Sequence, residues 1–172
     1  MSSLNMLEFL GKEQLNQLLG SQERIQLVEN CSTYRRINVH SGRPLEPLAN
    51  YSRALRVGDM VLQSGTTAID TQGNIIGEVD IAKQVDAIMD IAQGTLAQAG
   101  ASLDDVVRRR DFTVVAAEQN CPHGEGPGWF KNSRPVSMGC RIAGLALPEM
   151  LVEVDAWAVK GAHQDIEWLR PG

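Results

Sequence analysis

Glu153 and Asp155 stand one residue apart in the run LVEVDAWA, residues 151–158, among apolar neighbours. Two carboxylates at alternate positions of a strand share a face, about 6 to 7 Å apart. Burial at that spacing drives their pKa values apart and makes one of them a candidate general base. Just upstream, RPVSMGCR, residues 134–141, places Ser137, Gly139 and Arg141 on one face of a second run. If the two runs pair as a hairpin, the two faces coincide and the set suits acid–base work on a small bound molecule. The competing reading is structural: an Arg141–Glu153 ion pair across the strands, with Asp155 solvated.

Other groups carry weaker signals. Ser64, Gly65, Thr66 and Thr67 close a strand and offer hydroxyls and amides to an anion, although turns use the same residue types. Cys121, His123 and Glu125 fall within five residues and invite a metal reading. Zinc sites recruit ligands from separated segments, and no second Cys/His pair occurs in the chain, so the expectation is an ordinary loop. Gly124, Gly126 and Gly128 alternate without the strand-to-helix context of a phosphate loop.

The elements that must position these groups follow from periodicity. Leu4, Leu7, Leu15, Leu18, Leu19, Ile25 and Val28 recur at helical spacing, broken at Gly11 and Gly20, and predict two short amphipathic helices over 4–29. Residues 34–40 read as a strand, followed by the turn-rich SGRPLEPLAN. YSRALRV and MVLQSG flank Gly58-Asp59 and predict a tight hairpin. Asp80 caps a helix that stops at Gly100 and lays Ile81, Val85, Ile88, Ala92 and Leu96 on one face. Gly94 inside it costs about 1 kcal/mol relative to Ala.

A strand over 106–117 then places Phe112, Val114 and Ala116 on a common face. CPHGEGPGWF, with two prolines and three glycines, predicts a loop. Strands over 136–142 and 150–160 complete the series, and Ile166, Trp168 and Leu169 suggest a last helical turn. One long helix among mostly neighbouring antiparallel strands argues an α+β layer. Leu151, Trp157 and Val159 oppose Val152, Val154 and Ala156 on the last strand, so both sheet faces ask for cover. Oligomerisation through the sheet supplies it.

With 172 residues, 43% of them hydrophobic, the chain is sized for one domain plus extensions. A formal charge of −5 without a basic block argues against duplex nucleic acid or an anionic membrane surface as partner. Cys31, Cys121 and Cys140 are an odd number at wide spacing, as expected of reduced thiols in the cytoplasm. The N-terminus lacks the pattern of a signal peptide or membrane span.

The runs YSRALRVGDMVLQSGTTAID, IAKQVDAIMDIAQGTLAQAGASLDDVV, Arg134-Pro135 and LVEVDAWA, in that order, resemble the RidA family, also called YjgF. The resemblance spans about Tyr34 to Gly161. It implies a chorismate-mutase-like α+β sheet with one main helix on its outer face, a trimeric barrel, and ligand clefts between subunits. It further implies hydrolysis of enamine or imine intermediates such as 2-aminoacrylate, without metal or organic cofactor. Matched residue by residue, the glutamate that orients the attacking water falls on Glu153, the cleft tyrosine on Tyr51 and the strand-end glycine on Gly65. The arginine that holds the substrate carboxylate falls on Ser137, a departure that removes a bidentate fork. Arg141, four residues along and about 13 Å away at strand rise, does not replace it in place.

Two more departures are the Gly/Pro loop at 121–128, where relatives continue a second helix, and the extension before the common core. The expected organisation is a helical extension over 1–32, a RidA-like domain over 33–161 and a tail over 162–172. The expected function is water addition or proton transfer on a small imine, enamine or conjugated carbonyl compound, distinct from standard 2-aminoacrylate deamination. Glu153 is the expected base; Tyr51, Ser64, Gly65, Thr66, Ser137, Gly139 and Arg141 are the expected substrate contacts. The alternative is a trimer that binds a metabolite without catalysis.

Overall fold

The computed structural model describes residues 35–114 and 128–169. The expectations for the extension, for Cys121, His123 and Glu125, and for most of the Gly/Pro loop lie outside the described residues. In chain order the elements are β1 Arg36–Val39, α1 Leu45–Leu48, β2 Ala54–Val57, β3 Met60–Thr66, α2 Ile81–Gln98, a 3-10 turn at Leu103–Asp105, β4 Val106–Thr113, β5 Val136–Arg141 and β6 Val152–Val159. The strands form one sheet in the order β1-β2-β3-β6-β4-β5.

Local chemistry explains the best-defined elements. The β2–β3 hairpin turns at Gly58, which takes φ +59°, and pairs Val57 with Met60. Asp80 caps α2 by accepting from the backbone N–H groups of Ala82 and Lys83. At the other end Gly100 adopts φ +80°, and the Ala101 N–H donates 2.9 Å to the Leu96 carbonyl, so the helix stops where a left-handed residue allows it. Arg56 donates to the Ala99 carbonyl at 3.0 Å, a cation at the negative end of the helix.

Helix α2 lies on one sheet face. Its first half packs Val85, Ile88 and Met89 with Ala68, Val152 and Val154. Its second half packs Ala92 and Leu96 with Val39, Ala54, Val61, Ala156 and Ala158. Trp129 and Phe130 pack against both clusters, so the residues following the Gly/Pro loop supply part of the cover of this face.

The hairpin expected between the last two strands does not form. β6 runs between β3 and β4, antiparallel to both, and β5 pairs parallel to β4 at the sheet edge. The ten-residue connection 142–151 is longer than a tight hairpin needs and lets β6 pass over β4. β4 ends at Thr113, and its alternation is the reverse of the apolar pattern. Asp111 and Thr113 are buried on the helix side, and Phe112 lies opposite Glu153 on the far side. The tail turns at 160–164 and then runs irregularly to 169, so the last helical turn is absent among the described residues. Asp105 holds it by accepting from Gly161 N–H at 2.8 Å and by contacting His163 Nδ1 at 2.6 Å.

Candidate active site

Glu153 projects from the far face of β6, on the side away from α2, because Val152 and Val154 on either side are buried against the helix. The start of β6 is fixed by Gln84 of α2, which is fully buried. It accepts from Leu151 N–H at 2.8 Å and donates to the Glu149 carbonyl at 2.7 Å. Opposite, the β3–β6 ladder pairs Gln63 with Ala156 and Thr66 with Val154. Two residues of β3, Ser64 and Gly65, thus face one of β6, a bulge that re-aims the strand beside the carboxylate.

The bulge needs glycine. A Cβ on Gly65 would stand 1.9 Å from Glu153 Oε1, so the carboxylate lies directly over the bare backbone. Burial, and then the charge of Asp155, push Glu153 above its ordinary value, against the opposing pull of Arg53.

A cleft opens over this pair, lined by Arg43, Tyr51, Arg53, Gly65, Thr67, Ile69, Met150 and Glu153 among others. Arg53 organises its wall. Its Nε donates to Glu46 Oε1 at 3.1 Å, its Nη1 to the Gly65 carbonyl at 2.8 Å and to Thr66 Oγ1 at 3.3 Å, and its Nη2 to the Tyr51 hydroxyl at 2.6 Å. Tyr51 Oη is therefore an acceptor toward Arg53, and its own proton is available to a ligand. Burial would raise Glu46, but hydrogen bonds from Ser41 and Arg53 outweigh it and hold the group below its ordinary value. The side chain is 1% exposed, and with Arg53 it forms a buried ion pair under the cleft.

Asp155 is not solvated. Arg110 of β4 engages both its oxygens, with Nε 3.0 Å from Oδ1 and Nη2 in contact with Oδ2. The Arg141–Glu153 ion pair of the competing reading is absent among the described residues; the acid that is paired is Asp155, with Arg110. The cause is the topology: β4, not β5, neighbours β6.

Of the residues expected in the site, Glu153, Tyr51 and Gly65 meet at the cleft. Ser64 turns its hydroxyl to the Ser52 carbonyl at 2.8 Å, and the buried Thr66 supports Arg53 from behind. Ser137, Gly139 and Arg141 register with Arg109, Asp111 and Thr113, hence on the sheet face opposite Glu153, and within one chain they do not line the cleft. Sequence reasoning missed Arg43, Glu46 and Arg53. The one available signal was Arg53 itself, inside the YSRALRV run next to Tyr51.

The family model described as Endoribonuclease L-PSP matches residues 41–160. The chain belongs to that family, the RidA/YjgF family. A RutC family protein of Pyrococcus abyssi is 30% identical over 119 residues, 67% of this chain and 90% of the relative. The 3-aminoacrylate deaminase RutC of Acinetobacter baylyi is 28% identical over 108 residues, 63% of this chain and 85% of the relative. A crystal structure of a YjgF family member from Mycobacterium tuberculosis superposes with a TM-score of 0.63 at 34% identity, over 73% of this chain and 99% of that one. The expected fold class is thereby established: a RidA/YjgF sheet of six strands with one main helix. No helix among the described residues is long and apolar enough to cross a membrane.

Proposed function

We propose that this member of the RidA/YjgF family is a homotrimeric enzyme that hydrolyses, or moves a proton on, a small imine, enamine or conjugated carbonyl compound other than 2-aminoacrylate. Glu153 is its general base. The observation that carries this reading is the placement of Glu153. A carboxylate whose pKa is raised by burial lies over Gly65 in a cleft whose other wall presents the Tyr51 proton.

In hydrolysis, Glu153 takes a proton from water as the oxygen forms its bond to the imine carbon, and the C=N electron pair passes to nitrogen. Tyr51, polarised by Arg53, donates a hydrogen bond to the developing charge. The proton held by Glu153 goes to nitrogen, which gives a carbinolamine; Glu153 then takes the hydroxyl proton as the C=O bond forms and the C–N bond breaks, and passes it to the departing nitrogen, so that a carbonyl compound and an amine leave. An enamine enters the same sequence after protonation at carbon. The Acinetobacter relative is a 3-aminoacrylate deaminase, and deamination of an enamine is chemistry of this class. Serine at 137, where the resemblance puts the arginine that holds the substrate carboxylate, supports a substrate set that differs from 2-aminoacrylate.

Ammonia release from a panel of imino acids and neutral imines tests the reading. Wild-type protein is expected to turn over at least one member, and Glu153→Gln to lose that turnover by about 100-fold or more while keeping its assembly. Full turnover by Glu153→Gln removes Glu153 as the base. Ligand binding without turnover across the panel would favour the non-catalytic alternative.

A further inference from the structure

Arg43 enters the same cleft from the loop between β1 and α1. Its Nε donates to the Ile69 carbonyl at 2.7 Å, which fixes the plane of the guanidinium. Among the described residues its two terminal nitrogens have no hydrogen-bonded or ion-paired partner. The nearby carboxylates are committed elsewhere. Glu46 is bound by Ser41 and Arg53, and Asp70 accepts from Gln72 and from the backbone and side chain of Asn74. Arg53, the other cation of the cleft, spends all three nitrogens on Glu46, Gly65, Thr66 and Tyr51. The two guanidinium groups thus have Glu46 and Asp70 near them, both already hydrogen-bonded, and Glu153, the acid of the cleft lining, is held toward its neutral form. Partial burial and repulsion from Arg53 act against the charge of Arg43 and outweigh the attraction of Glu46, Asp70 and Tyr51, so its site is short of anion.

We propose that Arg43 is the specificity-determining residue of the cleft, a fixed fork that receives the carboxylate of the substrate. This rests on the cleft being the substrate site, as proposed above. The substrate is then a small monoanion whose carboxylate lies at the Arg43 wall and whose reacting carbon lies toward Glu153 and Tyr51. Arg53 is excluded from the role because its donors are occupied. Arg43 has four N–H donors left on its two terminal nitrogens, and one from each points along the end of the fork in parallel, the geometry that matches a carboxylate.

Binding of butyrate and of butyramide, measured by calorimetric titration, tests this with two saturated molecules of nearly equal shape that carry no imine, enamine or conjugated double bond. Wild-type protein is expected to hold butyrate about 10- to 100-fold more tightly, the range for a charge-assisted pair. Arg43→Gln should bring butyrate to the level of butyramide and leave butyramide unchanged. Arg43→Lys, which keeps the charge and loses the fork, should fall between. Equal binding of the two compounds by wild-type protein, or a butyrate preference that survives Arg43→Gln, overturns the assignment. The wild-type comparison needs no variant to fold. Neither compound has a bond for the proposed reaction, so the outcome does not depend on Glu153 as base: a butyrate preference alongside failure of the imine panel would keep this subsite and sink the reaction.

Discussion

Glu153 and Gly65 act as one unit, and each constrains what the other can be. Adding a methyl group at residue 65 puts it 1.9 Å from Glu153 Oε1, well inside contact distance, so the carboxylate must leave its position over the bulge. Gly65→Ala is expected to cost about 1 to 3 kcal/mol in stability, as overpacking does, and to reduce turnover far more than the affinity for inert ligands. Separate determination of kcat and KM checks this. The raised pKa of Glu153 has a consequence for stability as well. Below the unfolded value, about pH 4.3, the group is protonated in both states and contributes no penalty. As pH rises through the higher folded value, the folded state must ionise a half-buried acid and loses stability relative to the unfolded chain. Glu153→Gln should therefore melt above wild type at pH 7 and level with it at pH 4. A melting difference that is the same at both pH values would show that the charge of Glu153 is not the cause.

Helix α2 holds the site through Gln84, whose side chain ties the helix to both 149 and 151 at the entry to β6. The helix itself carries one avoidable weakness. Gly94 is exposed, and a Cβ there meets nothing within 4 Å. Gly94→Ala should raise stability by about 1 kcal/mol, read as a melting temperature about 3 °C higher with activity unchanged. This helix was legible in the sequence because the chemistry that makes it is local: an Asp cap, a 3.6-residue apolar face and a glycine stop. The β2–β3 hairpin was legible for the same reason. Strand order was not, because pairing of β6 with β4 rather than β5 depends on contacts between residues about forty positions apart. The length of the 142–151 connection was the only local hint. The same limit applies to the site. Glu153, Tyr51 and Gly65 were visible by type and by resemblance. Arg53 and Glu46 look like ordinary charged residues of a strand end and a turn until the fold buries them against each other, 3.1 Å apart. Arg43 lay in a segment that reads only as turn.

At the scale of the molecule, the far face of the sheet is unfinished in a single chain. Met60 of β3, Trp157 and Val159 of β6, and Val136 and Met138 of β5 lie on it and are all exposed, with Trp157 38% and Val136 68% accessible. Each Å² of such apolar surface left in water forgoes about 25 cal/mol, and the strands present it as two patches, on β3–β6 and on β5, with Arg108 and Arg110 of β4 between them. A trimer closed through this face would cover both patches and is the assembly proposed above. Trp157 lies in the first of them, with the Arg108 guanidinium 5.0 Å from its ring centroid. Trp157→Glu therefore places a carboxylate where Arg108 can meet it within the same chain, so the monomer fold is expected to tolerate the change. A buried acid facing its symmetry mates is a different matter, since like charges would crowd the shared face. Sedimentation equilibrium is expected to show a trimer for wild-type protein and a folded monomer for Trp157→Glu at micromolar concentration. A wild-type monomer would sink the assembly, and a trimer that survives the substitution would move the interface to another face.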